Sequence, residues 1–236
     1  MGEPIRDTTT AEAHTLNLLL LTWIAGMLDG LSYIRAHVFT ANMTGNLVLL
    51  GVHLMDDDIP DALRSLVALG AFALGCILAA FLMLRHEEAE HSSLTLGFAA
   101  EMLLLTAFAI LYELEGARRG VIEEGALIFS AAMALAVQSV TVRRLRVSGV
   151  VTTFITGTIT TSLVEAVSLF RKRGRSQQAE EQHVALLIGM LAVYLAAVAF
   201  ATALNARLPA AAGPAPAVII ALVLWRSRTR GRAPAA

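Results

Sequence analysis

Stretches of this chain that carry almost no Lys, Arg, Asp or Glu alternate with short clusters of charge. Eight apolar segments stand out: Thr15–Ile34, Val38–Met55, Ala62–Leu84, Leu94–Tyr112, Val121–Val142, Val147–Phe170, Val184–Leu204 and Pro214–Trp225. A helix rises about 1.5 Å per residue, so about 20 residues cross the hydrocarbon of a bilayer. The first, third, fourth, fifth and seventh segments meet that length, and the eighth does so by recruiting the apolar residues before Pro214. The pattern predicts an all-α fold, a polytopic transmembrane bundle of about eight hydrophobic segments with six to eight spans.

The second and sixth segments break the pattern. Each carries Thr, Asn and Gly where a lipid-facing helix would carry leucine: Thr40-Ala41-Asn42-Met43-Thr44-Gly45-Asn46 in one, Thr152-Thr153-Phe154-Ile155-Thr156-Gly157-Thr158 in the other. The two stretches align without a gap as Val38/Val150, Thr40/Thr152, Thr44/Thr156 and Gly45/Gly157, which reads as an internal repeat. The flanking segments follow, with Asp29 in the first segment roughly where Gln138 lies in the fifth. The expected organisation is an N-terminal cytoplasmic segment over residues 1–14, one transmembrane domain over 15–225, and a basic cytoplasmic tail over 226–236. Within the domain, repeat one covers about 15–113 and repeat two about 121–225.

Composition strengthens this picture: 56% of residues are hydrophobic and 16% charged, against about 45–50% and 25% in soluble domains. A net charge of −1 offers no basic face for nucleic acid. Cys76 is the sole cysteine, which excludes an intrachain disulfide and a thiolate-built metal site. With eight full spans and the N-terminus inside, 12 of the 18 basic residues fall on the cytoplasmic side. If the second and sixth segments dip in and return, 13 of the 18 do, so the positive-inside rule does not choose between the two topologies. Four spans per repeat give parallel repeats and three give inverted ones. Both polar segments are long enough to cross, which favours eight.

Ala25-Gly26-Met27-Leu28-Asp29-Gly30, followed by Val38-Phe39-Thr40-Ala41-Asn42-Met43-Thr44-Gly45-Asn46, resembles the signature of the YoaK family of bacterial membrane proteins. Gln138 followed by Thr152–Thr158 is similar to that family's second block, so the resemblance covers the chain from about Thr15 to Trp225. It implies several transmembrane helices in the bacterial plasma membrane and no established substrate.

Asp29 is the sharpest candidate for function. An acid in a helix centre costs roughly 2.5–3.5 kcal/mol to insert, so it is retained there for a reason. The glycines of the polar segments weaken helix, and transporters build sites from broken helices at equivalent positions of two repeats. The expected substrate-binding residues are therefore Asp29, Asn42, Thr44, Gly45, Asn46, Gln138, Thr152, Thr156, Gly157 and Thr158, with Glu101 as a secondary candidate. Thr, Asn and Gly also let helices pack closely and bond across an interface. Glu165 sits near the basic cluster at Arg171 and is expected to pair with it or snorkel.

The histidines of His86-Glu87-Glu88-Ala89-Glu90-His91 are five apart rather than the four a helical zinc motif needs, so no metal site is expected. His53 beside Asp56, Asp57 and Asp58 reads as a solvated loop end, and the arginines from Arg226 to Arg232 as a lipid-facing anchor. No catalytic triad or phosphate-binding loop stands out, so the chain reads as a non-enzyme without a cofactor. The expectation is a small-solute or ion permease in the bilayer, with a polar solute, proton or cation as its partner. The alternatives are a membrane scaffold and, more remotely, an intramembrane enzyme whose acids would have to converge.

Overall fold

A computed structural model describes residues 8–84, 90–118, 120–143, 155–171 and 178–230. These residues form helices α1 (Thr8–Ala36), α2 (Met43–Met55), α3 (Ile59–Leu84), α4 (Glu90–Arg118), α5 (Val121–Arg143), α6 (Ile155–Arg171), α7 (Gln178–Arg207), a single turn α8 (Pro209–Ala212) and α9 (Ala215–Arg230). Six stretches are long and apolar enough to cross a bilayer: Thr15–Ala36, Ile59–Leu84, Ser93–Leu114, Val121–Arg143, Glu181–Arg207 and Pro209–Ser227. Large apolar side chains such as Leu66, Phe81, Leu103 and Leu195 stand exposed on the outside of the bundle, where lipid covers them. The protein is a multi-pass membrane protein.

The running direction of each helix follows from its neighbours. The end of α1 packs with the early parts of α3 and α5, because Ala36, Val38, Ala68 and Ile128 form one buried cluster. Lower on α1, Gln138 near the end of α5 donates from Nε2 to the carbonyl of Leu21 at 3.1 Å. The helices α1 and α5 are therefore antiparallel. Arg64 at the start of α3 pairs with Glu124 at the start of α5 at 3.0 Å, and Gly75 faces Ala136, so α3 and α5 run together. Gly26 faces Tyr194 and Gly30 faces Val198, which makes α1 parallel to α7. Gly97 near the start of α4 meets Thr141 at the end of α5, and Gly213 before α9 meets Tyr112 late in α4, so both contacts are antiparallel.

These directions overturn the preference for eight full spans. The strand of chain leaving α1 and the start of α3 are on the same side of the membrane, so α2 does not cross. It could not cross unaided, since its 13 residues span about 20 Å. The reason is that Val38–Asn42, apolar enough to extend the helix on paper, is not helical. The six long helices cross alternately, which puts the start of α1 and the end of α9 on one side, the near side.

The packing partners follow the repeat. Exchanging α1 with α5, α2 with α6, α3 with α7 and α4 with α9 turns the α1–α7 contact into α5–α3, α4–α5 into α9–α1, and α2–α3 into α6–α7, all of which occur. The α4–α9 and α1–α5 contacts map onto themselves. Each exchange also reverses the crossing direction, so the two units are inverted. Both α1 and α5 lie at the centre, with 67% and 72% of their spans buried against 28% for α3, α4 and α7. Where α1 meets α7, a Cβ added at Gly26 would lie 2.6 Å from the backbone oxygen of Tyr194, so the two backbones approach at a distance only glycine permits.

A candidate polar site in the membrane interior

The site is built where α1 stops. His37 takes a left-handed conformation with φ 54°, and its N–H bonds back to the Tyr33 carbonyl at 3.0 Å, closing the helix. The chain then turns back beside α1 as an extended segment. Its backbone donors have no helix to bond to, and inside a bilayer every such group needs a partner within the protein. Asp29, seven residues and about 10 Å before the end of α1, supplies one. Its Oδ1 accepts from Thr40 N at 2.7 Å, Ala41 N at 2.6 Å and Thr40 Oγ1 at 3.3 Å. The Tyr194 hydroxyl on α7 donates to Oδ2 at 2.5 Å. Asp29 is fully enclosed, and no cation is bonded to it among the described residues.

Asn46, in the first turn of α2, completes the fold-back. Its Oδ1 accepts from Phe39 N at 2.8 Å and its Nδ2 donates to Phe39 O at 2.6 Å, so one amide replaces the ladder partner of an extended residue. Asn42 caps α2, accepting from Gly45 N at 3.3 Å. A Cβ at Gly45 would lie 2.9 Å from both Asn42 Nδ2 and the Phe39 ring, so this glycine is what lets the ring lie across the helix start. Thr44 points outward. Asp29, Thr40, Ala41, Asn46 and Tyr194 thus form one cluster that holds non-helical backbone inside the membrane.

Repeat two contributes less to this cluster. Gln138 is buried but bonds Leu21, eight residues and about 12 Å along α1 from Asp29. Gly157 and the buried Thr158 lie in the first turn of α6, as does Thr156, while Thr152 lies outside the described residues. Glu101 is fully buried on α4, away from the cluster, and neither carboxyl oxygen has a partner among the described residues. Glu165 joins α6 to α7 by meeting His183 Nδ1 at 2.7 Å, a partner other than the basic cluster the sequence suggested. Asp56–Asp58 form the α2–α3 turn: Asp57 is left-handed, Asp58 N bonds His53 O at 2.9 Å, and Asp58 Oδ1 caps α3 at Asp61 N. No three metal-ligating side chains gather among the described residues.

Comparison with known proteins now places the chain. The model of the family described as "Protein of unknown function (DUF1275)" matches residues 17–225. The chain belongs to the DUF1275 family. The UPF0700 transmembrane protein YoaK of Bacillus subtilis (strain 168) is 35% identical over 169 residues that cover 70% of this chain and 73% of YoaK. No solved structure matches. The resemblance read from the two polar blocks is therefore correct, and it identifies this DUF1275 chain as a transmembrane protein without giving it a substrate.

Thr40, Ala41 and Tyr194 of the cluster, and Phe39 beside it, are not among the binding residues expected from this DUF1275 sequence. Phe39 bonds Asn46 through its backbone N–H and carbonyl, which no side-chain pattern reports. Tyr194 had a signal: it is the one phenol in the apolar run Val184–Ala201, and a buried hydroxyl in such a run needs a partner.

Proposed function

We propose that the protein is a small-solute or ion permease of the bacterial plasma membrane, with its moving parts around the Asp29 cluster. The observation that carries this reading is the re-entrant backbone His37–Asn42, held at the depth of a buried carboxylate between α1 of one repeat and α7 of the other. Non-helical backbone at membrane depth belongs in protein or beside a wet cavity, and secondary transporters with inverted repeats place substrate at such breaks. Release of the Tyr194 hydroxyl would leave Asp29 Oδ2 open to a cation or to the polar group of a neutral solute. The positive-inside rule supports reading the near side, with both termini, as cytoplasmic, because six crossings assign 13 of the 18 basic residues of the sequence to it. Nothing in the cluster pairs a nucleophile with a base, so we read it as a non-enzyme.

The test is flux in proteoliposomes across a panel of monovalent and divalent cations, protons and small neutral solutes. A flux above that of empty vesicles, altered by Asp29→Asn, supports the reading. Silence across the whole panel removes it. A second reading is favoured by a separate observation: both Asp29 oxygens are already used by the protein's own backbone and Tyr194. On that view the protein is a scaffold, Asp29→Asn weakens the fold, and no solute moves.

A further inference from the structure

Among the described residues, Glu101 is the one buried acid that the Asp29 cluster does not use. It sits on α4 between Phe98, Leu105 and Phe108, which share its helix face and are all buried. That face packs against α5 and α9, with a lighter contact to α3. Gly97, one turn earlier, abuts Thr141 on α5, which sets the depth of Glu101 at about 12 Å from Ser93 at the near-side end of the span.

The charged and titratable groups on these helices stand elsewhere. On α3, Asp61 and Arg64 belong to the far-side network with Glu124 of α5. Glu123 starts α5 on that same far side, and Arg143 ends it on the near side. Arg226 lies towards the near-side end of α9, and Cys76 lies midway along α3. None of these bonds to Glu101.

Two explanations of a buried acid fail here. A carboxylate kept to hold backbone would accept N–H or O–H donors, as Asp29 does. A carboxylic acid kept to tie helices together would donate its O–H to a carbonyl. Glu101 does neither, since both oxygens lack a partner among the described residues. The species that resolves an uncompensated carboxylate without a protein partner is a proton.

We propose that Glu101 is a proton-binding site of the membrane interior, separate from the Asp29 cluster. Its carboxyl takes one proton from a hydronium ion of near-side water, whose O–H bond breaks to leave a water molecule as a carboxylate lone pair forms the new O–H bond, and returns it by the reverse step, with no change of oxidation state. The site requires only the surroundings of Glu101 and stands whether or not the Asp29 cluster moves a solute.

Infrared spectroscopy of the full chain in lipid nanodiscs at neutral pH tests this. A carboxylic acid without hydrogen bonds shows a C=O stretch at the high-frequency edge of the acid region, resolved from hydrated surface acids. The expected result is one such band per chain, lost completely in Glu101→Gln, moved in Glu101→Asp, retained in Asp29→Asn, and shifted down after equilibration in D2O. Coincident spectra of wild type and Glu101→Gln would overturn the proposal. A Glu101 band that never shifts in D2O would overturn it equally, because the proton would be sealed in. Should Glu101→Gln lose its helical signal, Glu101→Asp carries the assignment alone: an unmoved band refutes it.

Discussion

Asp29 and Glu101 are both acids buried in the membrane interior, and they differ in everything that surrounds them. Asp29 gathers two backbone N–H groups, a threonine hydroxyl and a tyrosine hydroxyl; Glu101 gathers no partner among the described residues. The first is bound into the architecture, so removing it strands its donors. The second contributes a titratable group without a structural debt, so its removal strands no donor among the described residues. Burial alone would rank the two together, and it is the partner list that separates them.

Stability measurements can break or sharpen this contrast. Asp29→Ala leaves the Thr40 and Ala41 amides and the Tyr194 hydroxyl without an acceptor, at about 1–3 kcal/mol per buried group. The expected loss is on the order of 3–9 kcal/mol, read from denaturant titration in detergent, and a loss below about 1 kcal/mol would dissolve the cluster as described. Tyr194→Phe removes one donor to a charged acceptor and should cost about 1.5–3 kcal/mol by the same titration. Gly45→Ala pushes a methyl against Asn42 and the Phe39 ring, for roughly 1–2 kcal/mol, visible as a lower melting temperature. Glu101→Leu should lie within about 0.5 kcal/mol of wild type or be more stable. A large loss there would mean that Glu101 is structural after all, erasing the difference between the two acids.

A topology measurement sharpens the frame in which both acids sit. Cysteines replacing Arg35 and Arg143 in a Cys76-free variant should label from opposite sides of the membrane, because α1 and α5 are antiparallel. Labelling from the same side would restore eight crossings and parallel repeats.

The membrane class, the long spans and the odd character of segments two and six were all legible in the sequence. Hydrocarbon selects composition residue by residue, and that selection survives in any window of the chain. The failure of Val38–Met55 to cross was not legible by length, since 18 residues suffice for a span and side-chain hydropathy does not distinguish helix from extended chain. A local signal was present in Asn42, a preferred cap placed three residues before Gly45. Taken as a helix start, it would have cut the segment to 13 residues. The pairing of Asp29 with Tyr194 lay beyond reach for a different reason: it joins helices from different repeats, and nothing local couples them.

That pairing spans 165 positions, which bears on how the protein is made. Synthesis at about 5–20 residues per second puts Tyr194 in the membrane roughly 8–30 s after Asp29. Thr40 and Ala41 emerge at once and can secure one oxygen of the acid from the beginning. The other oxygen must wait through five further helices, so the final locking of the first repeat is an event in the biogenesis of the second.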